Sequence, residues 1–71
     1  MTVWAVNSND TAAYAAYRFD LAGGAISGDV SYRRWTADAV ATGVATRIGE
    51  AAFTVDLPTN TVTMVDFALA P

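Results

Sequence analysis

The chain has 71 residues, 54% of them hydrophobic and 15% charged, and it carries no Cys, His, Lys or Gln. One small domain spanning residues 1–71 is the expectation, and a two-domain cleft is excluded. Four Arg against six Asp and one Glu leave a net charge of −3, which excludes the electrostatic footprint of a duplex nucleic-acid binder.

Thr2-Val3-Trp4-Ala5-Val6 is β-branched and aromatic and ends in the turn-forming run Asn7-Ser8-Asn9-Asp10, so it reads as a strand with Trp4 as a core or interface anchor. Thr11 to Leu21 has two readings. Asp10 or Thr11 could cap a short helix over residues 11–18 that aligns Tyr14, Tyr17 and Leu21 before Gly23. The strict alternation of Tyr17-Arg18-Phe19-Asp20-Leu21 instead favours a strand over the second half, with Ala15, Tyr17, Phe19 and Leu21 on one side. Gly23-Gly24 and Gly28-Asp29 then bracket a loop around Ile26, and Val30 to Thr36 is the next strand.

Ala37 to Ile48 reads better as a strand than as a helix, because its five β-branched residues and central Gly are poor helix formers. Val40, Thr42, Val44, Thr46 and Ile48 share one face. Ala41, Gly43 and Ala45 share the other, which would let a second backbone or sheet approach closely. Ala52-Phe53-Thr54-Val55-Asp56-Leu57 and Thr61-Val62-Thr63-Met64-Val65-Asp66-Phe67 flank Pro58-Thr59-Asn60 and predict a hairpin. The apolar phase slips in the second of these strands, since Val62 and Met64 face one way and Val65, Phe67 and Leu69 the other. A bulge near Met64, or burial on both faces, would accommodate the slip. The expected fold is therefore all-β: a small antiparallel sandwich or open barrel of five to six short strands, with a short helix near residues 11–18 as the alternative.

The residue types present exclude most catalytic constellations within one chain: no Ser-His-Asp or Cys-His pair, no Schiff-base Lys, and no nitrogen or sulfur metal ligand. Gly23-Gly24 followed by Gly28 lacks the spacing of a phosphate loop and reads as turn punctuation. Carboxylates at Asp20, Asp29, Asp38, Glu50, Asp56 and Asp66 remain as potential acid and base pairs or a hard-cation site, but so short a chain has little room for a cleft that would bury a substrate. The reading is non-enzymatic, with no cofactor and no metal.

The longest uncharged stretches, Met1 to Asn9 and Leu57 to Val65, are nine residues, short of the ~20 that a spanning helix needs, so no membrane partner is expected. The first positive side chain is Arg18, later than the basic start of a signal peptide. The chain is expected to stay in the cytoplasm or to leave it with something assembled there.

Tyr32-Arg33-Arg34-Trp35 interleaves guanidinium groups with aromatic rings, placing Tyr32 and Arg34 on one face of a strand and Arg33 and Trp35 on the other. Arg, Trp and Tyr are the residues enriched at interface hot spots. Trp4, Tyr32, Arg33, Arg34, Trp35 and Phe67 are accordingly the candidate partner-interface residues. A core Trp35, with arginines paired to Asp20, Asp29 or Asp38, is the plainer reading of the same run.

Small size, low charge, a β-rich pattern and absent catalytic residues together resemble, in type, the small structural proteins of virus particles such as phage head-decoration or connector components. That likeness implies a structural protein of the virion, assembled in the host cytoplasm, contacting a larger capsid protein through edge strands and aromatics and self-associating as a homo-oligomer. A soluble acidic binding module, antitoxin-like or a host-factor inhibitor, is the alternative.

Overall fold

The structure is a computed structural model and describes residues 1–70. Seven antiparallel strands form two sheets facing each other as an open sandwich: β1 (Thr2–Asn7), β2 (Tyr14–Asp20), β3 (Ile26–Trp35), β4 (Val40–Val44), β5 (Thr46–Arg47), β6 (Ala52–Leu57) and β7 (Thr61–Leu69). The larger sheet runs β1-β7-β3-β4 and the smaller β2-β6-β5. No helix is present among the described residues, and the sheets do not close into a barrel.

The helix alternative for residues 11–18 is thus corrected to strand. Asn9 Oδ1 does accept from the Thr11 and Ala12 amides at 2.8 and 3.0 Å, as a cap would, but the turn runs straight into β2, whose pairing with β6 from Tyr14 onward takes the backbone bonds that a helix would need. The strand that follows carries one extra residue between Tyr14 and Tyr17 relative to Leu57 and Val55 of β6, a bulge at which Ala16 sits at φ 51°. This bulge puts Tyr14, rather than Ala15, on the side of Tyr17 and Phe19.

The loop expected around Ile26 is also strand. Gly28, at φ 78°, absorbs a bulge between Ser27 and Ser31 opposite Ala68 and Asp66, so the chain stays in the sheet and delivers Ile26 and Val30 to the core. The segment read as one strand from Ala37 to Ile48 divides after Val44. A turn over Thr36–Ala39 leads into β4 on β3, and beyond Ala45 the chain crosses to the other sheet, where Thr46 and Arg47 pair with Thr54 and Phe53. This division raises the count to seven.

The two strands read as a hairpin both exist, but they do not pair. β6 lies between β2 and β5, and β7 between β1 and β3, so Pro58-Thr59-Asn60 carries the chain from one sheet to the other as an arch. Asn7 fixes that arch: its buried Nδ2 donates to the Leu57, Pro58 and Ala12 carbonyls at 3.0, 3.1 and 2.9 Å. Burial of a side-chain amide is compensated by these bonds.

Ile26, Val30, Ala45, Phe53, Val55, Leu57, Val65 and Phe67 form the core between the sheets. Aromatic contact runs from Tyr17 to Phe19 to Phe53 to Phe67 with centroid spacings of 5.3, 5.2 and 5.5 Å, within the range where ring pairs add to burial. β7 needs no bulge, because its register with β1 is continuous from Thr2 opposite Asp66 to Asn7 opposite Thr61. Thr61 and Thr63 take the buried positions in line with Val65 and Phe67, and Val62 and Met64 are left on the outer face, half-buried.

Candidate protein-docking face

The pairing registers place cross-strand rows on the outer face of the four-stranded sheet. Val6, Val62, Trp35 and Val40 form one row; Trp4, Met64, Arg33 and Thr42 form the next. The Trp4 and Trp35 rings meet diagonally across β7, stacked at 5.7 Å with 19° between planes. Trp4 remains 59% exposed, Val6 68%, Val40 57% and Val44 64%. Thr2 and Asp66 border this face and are joined by a hydrogen bond of 3.1 Å.

The six sequence-predicted interface residues divide between the two faces of this sheet. Trp4, Arg33 and Trp35 lie on the outer face. Arg33 is exposed there and has no salt bridge among the described residues. Tyr32 and Arg34 point inward, as the alternation of β3 requires. The Arg34 guanidinium stands 4.7 Å over the Tyr32 ring and donates to the Asp56 carbonyl of β6 at 2.6 Å, bridging the sheets. Phe67 is core and lies outside the exposed face, because β7 turns it inward between Phe53 and Val65. Trp35 is half-buried by its stack, so the plainer reading of it as a core residue does not hold.

Tyr32 also explains Gly43. A Cβ at Gly43 would fall 2.6–2.8 Å from the Tyr32 ring and hydroxyl, so the small-residue face of β4 accommodates an aromatic ring of the neighbouring strand rather than a second backbone. Val6, Val40, Val44 and Met64 complete the outer face and were not singled out from the sequence. For Met64, and for Val62 beside it, the phase slip is the signal, since both are apolar on the second face of β7; Val6, Val40 and Val44 carry no such mark.

A groove of about 510 Å³ continues from Trp4 around the edge of β1 and is lined by Tyr14, Tyr17, Phe19 and Leu57. Apart from Arg33 and the bordering Asp66, the charged groups with partners lie elsewhere. Arg18 and Asp20 pair at 2.8 Å on the outside of β2, Asp56 accepts from the Ala16 amide at 2.8 Å, and Arg47 donates to the Gly28 and Gly49 carbonyls. The hydrogen bond with Arg18 holds the Asp20 carboxyl below its ordinary pKa and raises that of Arg18. Among the described residues no three acidic side chains converge on a cation site, and the depression that Asp29 and Asp66 line together is an open one. No protein-family model, curated protein or solved structure gives a significant match to the chain.

Proposed function

We propose that this protein is a non-enzymatic assembly component that docks onto a larger protein particle through the outer face of its four-stranded sheet, the part played by head-decoration, capsid-stabilising and connector proteins in phage virions. One observation carries the reading: an exposed tryptophan, Trp4, stacks on a half-buried one, Trp35, on an apolar sheet face that water covers. Exposed contiguous apolar surface on a small protein marks an interaction site, and Trp with a nearby unpaired Arg is hot-spot chemistry. Desolvating such a face costs little, since Arg33 is the one charge among its central rows.

The test is sedimentation of a native extract through a density gradient with this chain followed by mass spectrometry. Co-migration with a megadalton particle in fixed ratio to a larger protein is the expected result, and Trp4→Ala with Trp35→Ala should move the chain to the top of the gradient while it stays folded. Wild-type chain found at the top, bound to one ordinary-sized basic partner by a contact that weakens steeply with salt, would instead establish the acidic-module alternative.

A further inference from the structure

The four sheet edges are protected to different degrees. In the smaller sheet, β2 is broken by the Ala16 bulge and carries Arg18 and Asp20, and β5 is two residues long. Bulges, charges and shortness are the usual devices that keep edges from pairing. In the larger sheet, β4 has none of them: Val40-Ala41-Thr42-Gly43-Val44 contains no charge, no Pro and no bulge, and its partner register with β3 is unbroken.

The hydrogen-bond phase of that edge is fixed by its neighbours. The Ala45 amide donates to the Val30 carbonyl at 2.7 Å and the Thr36 amide to the Ala39 carbonyl at 2.9 Å. Bonded pairs alternate along an antiparallel ladder, so Ala41 and Gly43 direct their backbone groups to β3. Val40, Thr42 and Val44 therefore direct theirs outward. These three positions are symmetric about Thr42. A two-fold axis there would set Thr42 against Thr42 of a second copy and Val40 against its Val44, every outward amide and carbonyl finding a partner.

We infer that β4 pairs antiparallel with β4 of a second copy about a two-fold axis at Thr42, joining two four-stranded sheets into one of eight strands. Cross-strand Thr–Thr and Val–Val pairs are favourable neighbours. Self-pairing brings no like charges together, because the strand has none. The β1 edge is also neutral, but its outward positions are Thr2, Trp4 and Val6, and the same operation would stand two indoles side by side at its centre. The dimer makes the two docking faces coplanar neighbours, so both can engage one particle; the pairing itself does not depend on that docking.

The chain has no cysteine, which permits a register test. Opposed residues of a hydrogen-bonded antiparallel pair lie ~5.5 Å apart between Cα atoms, inside the ~4.4–6.8 Å span of a disulfide. Under mild oxidation Thr42→Cys should give a covalent dimer, and an equal mixture of Val40→Cys and Val44→Cys chains should give the mixed dimer. Val40→Cys alone and the exposed loop control Ser8→Cys should not. Sedimentation equilibrium of the unmodified chain should show twice the monomer mass, and Thr42→Lys should weaken association at least tenfold with an unchanged circular dichroism spectrum. A wild-type chain that stays monomeric to millimolar concentration would overturn the inference, as would Val40→Cys cross-linking with itself as readily as Thr42→Cys.

Discussion

The two faces of the four-stranded sheet invert the usual distribution of bulk and polarity. Inward it presents Asn7, Thr61, Thr63 and Arg34 among Val3, Ala5, Val65 and Phe67; outward it presents both tryptophans, Val6, Val62, Met64, Val40 and Val44. Polar groups inside are tolerated where they are bonded, as Asn7 is to three carbonyls. Outside, Trp4, Val6, Val40 and Val44 are each more than half exposed, so most of their apolar surface adds nothing to the fold of a lone domain. The contrast separates what stabilises this chain from what it offers to others, and substitutions on either side of the sheet should separate in the same way.

The largest expected effect is on the inside. Phe53 is fully buried, stacked on Phe19 and packed at a tilt against Phe67. Phe→Ala in a core costs about 3–5 kcal/mol, as much as a core of this size contributes in total, ~3–5 kcal/mol. Phe53→Ala should therefore abolish the cooperative thermal transition followed by far-ultraviolet circular dichroism. Trp4→Ala should keep that transition, although it removes a larger side chain. If both variants unfold alike, the outer face belongs to the fold and not to a partner.

Much of this inside-outside division was legible in the chain, and some of it was hidden for identifiable reasons. Alternation disclosed most of the strands, and it placed Tyr32 and Arg34 opposite to Arg33 and Trp35. It did not disclose pairing. A three-residue link such as Pro58-Thr59-Asn60 is compatible with a hairpin and with an arch, and the choice is made by distant residues: Asn7 clamping Leu57 and Pro58, and β1 and β3 flanking β7 on both sides. Ala45 looks like any strand residue, and only the two sheets together show that the chain changes layers there. The outer face was half visible, because hydrophobicity marks Trp4, Trp35 and Val40 as apolar but does not say which side of a sheet meets water. Gly28 signals a loop and a bulge equally, and only its neighbours in the sheet select the bulge.

A smaller effect of opposite sign tests the inner polar positions. The Thr63 hydroxyl is fully buried without a hydrogen-bond partner, and so is the Nε of Arg34, its register neighbour on β3. An unpaired buried polar group costs about 1–3 kcal/mol. Thr63→Val keeps the shape and removes the hydroxyl, so it should stabilise the domain by about 1 kcal/mol, which for this size shifts Tm upward by ~4–8 °C. Differential scanning calorimetry reads the shift. A lower Tm would mean that the Thr63 hydroxyl is bonded in solution.

The smallest effect belongs to the one salt bridge among the described residues, Arg18–Asp20 on the outside of β2. Its hydrogen bond lowers the Asp20 pKa from the ordinary value of 3.8. A carboxyl with a lowered folded-state pKa adds stability above its unfolded value and loses it as pH falls through the folded one, so any contribution is present at neutral pH and disappears below about pH 4. Both side chains are more than half exposed, where water screens the attraction and such pairs contribute little. Arg18→Ala should hence leave the thermal transition at pH 7 almost unmoved. It should raise the Asp20 titration midpoint, read from the carboxyl carbon by NMR, back to the ordinary value. A midpoint unchanged by the substitution would remove Arg18 as its cause. The pair matters more for where it stands: two charges on the β2 edge of the smaller sheet, set against a β4 edge with none, disfavour strand pairing at β2 relative to β4.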